Sequence, residues 1–128
     1  MLTSLPGTPA CGRMPPTTWR AIEFYSECVG EYPWPQATAV DGALSAGGGM
    51  EYPMITIIAG ASNARSLDEV ITHEVGHNWF YGILASNERE HAWMDEGVNS
   101  YYESRYMRKW YGENSALLQL PRFLRNAS

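Results

Sequence analysis

The stretch HEVGHNWFYGILASNEREHAWMDE, running from His73 to Glu96, decides how this chain reads. It opens with His73-Glu74-Val75-Gly76-His77, the H-E-x-x-H pattern, and closes on Glu96 after the eighteen residues 78–95. Side chains four apart on a helix stack on one face, so His73 and His77 can grip one metal ion together. Zinc accepts imidazole nitrogen and carboxylate oxygen, and a catalytic zinc keeps three protein ligands and one open position for water. Glu74 projects beside the two histidines, where it can take a proton from that water.

The flanking residues favour a helix that is buried in a larger body. Ser66-Leu67-Asp68-Glu69 reads as a helix start, with Ser66 as N-cap and Glu69 completing a capping box. Leu67, Val70, Ile71, Val75, Trp79 and Phe80 then recur at roughly helical spacing. Buried imidazoles and carboxylates need partners, because an unpaired buried polar group costs a few kcal/mol. A loop around Ser86–Glu90 and a returning helix can bring Glu96 back beside His73 and His77. Asp95 faces about 100° away from Glu96 on a helix, so Glu96 is the expected third ligand. Asp95 is left as a group that orients one histidine.

HEVGHNWFYGILASNEREHAWMDEGVNSYYE resembles the zinc core of the aminopeptidase N type metallopeptidases, a branch of the gluzincins. Gly48-Gly49-Met50-Glu51-Tyr52 resembles that family's G-x-M-E-N motif, and residues 24–35, FYSECVGEYPWP, resemble the helix and Pro-rich turn before it. The resemblance covers roughly residues 17 to 110. It implies His73, His77 and Glu96 as zinc ligands, Glu74 as the general base and a peptide as substrate. It further implies Glu51 at the free amino terminus of that peptide, and Gly48, Gly49 and Met50 along a strand edge where the peptide lies. A Gly-rich run permits close backbone approach of a ligand, and a carboxylate beside it can pair with an ammonium group.

The pattern is departed from twice. Tyr52 stands where the family usually has Asn, and no segment of these 128 residues matches the family's distal transition-state tyrosine. Tyr101 and Tyr102 lie at helical spacing with Val98 and Tyr106 and are expected to pack rather than react, so this chain alone is expected to be a poor enzyme.

Composition closes other doors. The net charge is −5 with nine basic residues, and Arg105, Arg108 and Lys109 form their only cluster, which reads as a solvated face near a helix C-terminus. Nucleic-acid binding needs a basic surface and is not expected. No apolar run is long enough to span a membrane, and residues 1–16 lack the apolar core of a signal peptide. Cys11 and Cys28 could pair but define no framework. His91 is expected in a loop or at a helix start.

The coarse expectation is an α+β, helix-rich fragment of a zincin-like (thermolysin-like) catalytic domain with a short β-strand region. Residues 1–16 are expected to be extended or disordered, and 17–128 to form the partial catalytic domain. Within it the pattern predicts a helix over 17–29, a weak strand over 36–40, a strong strand over 50–59, long helices over 66–84 and 92–110, and a short helix from Asn114. Aromatic residues in the second half are expected to leave apolar surface that favours self-association. Two functions follow: a zinc metallopeptidase core of aminopeptidase type, or a non-catalytic zinc-binding or interaction module that keeps the fold. The intact Glu74 favours the first, since a purely structural zinc site closes with a fourth protein ligand.

Overall fold

The computed structural model describes residues 16–44 and 48–112. Helix α1 (Pro16–Val29) begins with proline at a first-turn position, where its missing N–H costs nothing. Three short strands follow, β1 (Thr38–Asp41), β2 (Gly48–Met50) and β3 (Ile55–Ala59). They form one sheet in the order β1-β3-β2, with β1 parallel and β2 antiparallel to the central β3. Helix α2 (Ala64–His77) packs against β2 and β3, and α3 (Asn99–Tyr111) returns alongside α2. The chain is thus a mixed, helix-rich α+β unit with a small sheet.

Several local expectations are corrected. Residues 50–59 are not one strand: a turn over 51–54 splits them, and Met54 adopts φ 63° there. Pro53 explains the break, because it has no N–H to contribute to a continuing ladder. The N-cap of α2 is Asn63, whose Oδ1 accepts from the Ser66 amide at 2.9 Å. Ser66 therefore lies inside the first turn, and the Ser66–Glu69 capping box does not form. Neither long helix is uniformly α. Asn78–Ile83 continues α2 as a π-helical segment, and Trp93–Val98 leads into α3 as another. Gly112 ends α3 at φ 92°, a left-handed conformation that favours glycine. Of the expected extended start over 1–16, Pro16 instead opens α1 and residues 1–15 lie outside the described residues, as do the helix from Asn114 and Cys11.

The core is aromatic. Tyr25 of α1 is fully buried, stacks on Trp79 at 5.2 Å and meets Phe24 and Phe80 edge-on. Trp79 also donates from Nε1 to the Gly30 carbonyl at 2.7 Å, which ties the end of α1 to the segment after α2. Tyr102 stacks on Phe80 at 5.3 Å, as the packing expectation required, but Tyr101 is 60% exposed. Arg105 lies over both of those rings, and Lys109 pairs with Glu27 at 3.4 Å. His91 is exposed in the connection between the two helical stretches.

One buried carboxylate joins all three helices. Asp68 of α2, with no exposed surface, accepts from Arg20 of α1 at 2.9 Å and from the Tyr106 and Tyr111 hydroxyls of α3 at 2.9 and 2.7 Å. Burial, then the charge and hydrogen bond of Asp68, push the Tyr106 hydroxyl pKa far above its ordinary value, so it stays a donor. Removing one partner of a buried ion pair typically costs about 3–5 kcal/mol, while losing one neutral donor to a charged group costs about 2 kcal/mol. Urea unfolding should therefore rank Asp68→Ala well below Tyr106→Phe in stability. An Asp68→Ala midpoint equal to wild type would contradict the assignment of Asp68 as the helix junction.

Candidate active site

His73 and His77 lie on the last turns of α2, four residues apart and on one face, with ring centroids 4.8 Å apart. Their Nε2 atoms are separated by 3.1 Å. Glu96, in the π-helical segment before α3, brings Oε2 to 3.3 Å from His73 Nε2 and 3.9 Å from His77 Nε2. Each imidazole is held from behind by a carboxylate of the returning chain. His77 Nδ1 lies 2.5 Å from Asp95 Oδ1 in a fully buried pair, and His73 Nδ1 lies 2.8 Å from Glu103 Oε2.

These contacts fix the ring chemistry. An ionised carboxylate only accepts, so each Nδ1 carries a proton, and in the neutral ring each Nε2 keeps a lone pair directed at its neighbour. Two imidazole lone pairs and a carboxylate oxygen around one point repel one another unless a proton on one ring or a metal ion lies between them. Tetrahedral ligands at zinc bond lengths lie roughly 3.3 Å apart, close to the separations seen here. The donor set and the spacing both suit a metal ion.

Glu74 is buried beside this group, and its Oε2 has no hydrogen-bond partner among the described residues. Burial raises its carboxyl pKa; His73 opposes that, while Glu51, Glu96 and Asp95 reinforce it, and the result is about 7. Strand β2 runs directly over this side chain, and a Cβ on Gly49 would collide with the Glu74 carboxylate. Gly48, Gly49, Glu69, Val70, His73, Glu74 and Glu103 line an open groove of about 270 Å³ there. Glu51, one residue past β2, offers an oxygen to a second cluster with His77, Asp95 and Glu96, all within 4.8 Å. All eight residues singled out in the sequence, Gly48–Glu51, His73, Glu74, His77 and Glu96, therefore fall in one region. Met50 joins through the sheet, its carbonyl accepting from Thr56 Oγ1 at 3.1 Å.

Residues 16–127 match the Peptidase family M1 domain. The chain belongs to peptidase family M1. Among curated relatives, leukotriene A-4 hydrolase of Xenopus laevis is 32% identical over 99 residues, covering 75% of this chain and 16% of its own length. Leucine aminopeptidase 2 of Emericella nidulans gives the same identity and coverage, and leucine aminopeptidase 2 of Aspergillus niger is 35% identical over 68 residues, 52% of this chain and 11% of its own. The chain thus spans about a sixth or less of the length of these relatives. No solved structure matches it significantly.

Glu103 is the residue that sequence reasoning missed in this M1 chain. Its one signal is spacing: it follows Glu96 by seven residues, two helical turns along the same face. Burial alone would lower the His73 pKa, but the Glu103 hydrogen bond and charge, with Glu74 and Glu96, outweigh it and push the imidazole up to about 9. The sign follows: stability from the protonated pair is complete below the ordinary histidine value near 6.5 and is lost as pH rises through about 9. In chelator-treated protein, Glu103→Gln should move the His73 midpoint, read by NMR, down toward 6.5. A wild-type midpoint already near 6.5 would contradict the pairing.

Proposed function

We propose that the chain is the metal-binding core of a zinc-dependent peptidase that hydrolyses peptide bonds from the amino terminus. The observation that carries this reading is the convergence of His73 Nε2, His77 Nε2 and Glu96 Oε2 within 3.1–3.9 Å, with both Nδ1 atoms already committed to carboxylates. His73, His77 and Glu96 would hold the ion. When bound, zinc supplies Lewis acidity that polarises a carbonyl and acidifies water.

The protein's own groups supply the rest. Glu74 acts as general base: a carboxyl with a pKa of about 7 is matched to proton transfer near neutral pH, and its unpaired Oε2 is available to take a proton. Glu51 pairs with the substrate ammonium, which sets cleavage at the amino terminus. Gly48, Gly49 and Met50 present the free edge of β2 to the peptide backbone, in the manner of strand addition. Asp95 and Glu103 keep the two imidazoles in the tautomer that points Nε2 inward. The reading as a non-catalytic zinc module fits less well, because it assigns no task to the unpaired, buried carboxylate of Glu74.

The full chain should take up one zinc per molecule, and His77→Ala should abolish that uptake. Glu74→Gln should retain zinc and remove any hydrolysis of an aminoacyl chromogenic substrate; loss of zinc instead would make Glu74 a ligand and defeat its role as base. Gly49→Ala should lower activity at least tenfold with zinc retained, since a methyl group there displaces Glu74. An Nα-acetylated substrate should be refused by wild type, and equal turnover of free and acetylated substrates would overturn the role of Glu51.

A further inference from the structure

Glu96 has little local support. Its side chain is 55% exposed, and the π-helical segment that carries it starts without a side-chain cap. Something else must set where this carboxylate sits relative to His73 and His77.

Asn99, three residues on, opens α3 and has no exposed surface. Its Nδ2 donates to the His73 carbonyl at 2.7 Å, and its Oδ1 accepts from the Tyr25 hydroxyl at 3.1 Å. One amide thus stitches α3 to α2 at His73 itself and to α1. Gly76 makes the socket: a Cβ there would collide with Asn99 Oδ1 and with the Tyr25 hydroxyl. The close approach of α3 to α2 therefore depends on the absence of a side chain within H-E-x-x-H.

We propose that Asn99 is a positioning residue that fixes Glu96 against the two histidines, with Gly76 and Tyr25 forming its socket. The proposal rests on the reading of His73, His77 and Glu96 as a metal triad. Asn99 and Glu96 move together, because they lie three positions apart on one continuous helical stretch. A slip of the Asn99 amide along α2 carries Glu96 away from the point where both Nε2 atoms meet. The same helix holds His73 twice, at its carbonyl through Asn99 and at its ring through Glu103.

Cobalt(II) titration of the full chain tests this, with affinity read by chelator competition and ligand geometry by visible absorption. Asn99→Ala should weaken cobalt binding about ten- to a hundredfold, as loss of a ligand-orienting partner does, and should alter the visible bands while far-UV circular dichroism is unchanged. Tyr25→Phe, which removes one tether of the amide, should act in the same direction by a smaller factor. In a Glu96→Ala background, Asn99→Ala should cost much less further affinity than it does in wild type, because most of its effect passes through Glu96. Wild-type affinity and spectrum in Asn99→Ala, or full additivity with Glu96→Ala, overturns the proposal and leaves Asn99 a packing residue. If Asn99→Ala does not fold, Tyr25→Phe is compared in the same two backgrounds with the same criteria. A wild-type chain that takes up no cobalt defeats the metal reading, and the proposal with it.

Discussion

Two imidazoles on one helix can point almost anywhere, and here each is tied by its Nδ1 proton to a carboxylate of the returning chain. His77 is bound to Asp95 and His73 to Glu103, so both Nε2 atoms face one point. Most of the fold can be understood as the means of bringing those carboxylates back. The connection over residues 84–92 reverses the chain, Asp68 anchors the far end of α3 through Tyr106 and Tyr111, and Asn99 seats its near end on Gly76. A residue larger than glycine at position 76 would separate α2 from α3 and release the histidines from their partners.

The backbone is least regular where the site is. π-helical segments follow His77 and carry Asp95 and Glu96, a common arrangement at functional positions because a wider turn re-aims side chains that an α-helix would place elsewhere. It lets the adjacent Asp95 and Glu96 do different things: Asp95 is buried behind His77, while Glu96 faces the open side between the two rings. On that side, β2 comes close enough to Glu74 to exclude any side chain at Gly49, which joins a strand edge, a buried carboxylate and His73 in one groove.

Much of this was legible in the sequence where the information is local. The H-E-x-x-H spacing is a helix-face argument that needs no tertiary structure, and the mixed helix-rich class followed from periodicity. Glu96 was expected from the interval and from the helix face away from Asp95, whereas the clustering of Glu51 with the histidines depended on family resemblance, because nothing local determines where the strand region lands. Glu103 and Asn99 were not legible, since each acts only through the approach of α3 to α2. The strand over 50–59 was misread by weighting β-branched residues above Pro53. The cap was assigned to Ser66 although Asn63, three residues earlier, is an equally good acceptor and sits where the helix starts. The π-helical turns left no recognisable trace in residue type.

On the proposed reading, His73, His77 and Glu96 converge to hold one metal ion. Zinc K-edge X-ray absorption on the full chain tests it most directly. The expected result is a single zinc with two imidazole ligands, nitrogen and oxygen donors at about 2.0–2.1 Å and no sulfur in its coordination. A spectrum showing sulfur ligation, or fewer than two imidazoles per zinc, would contradict it.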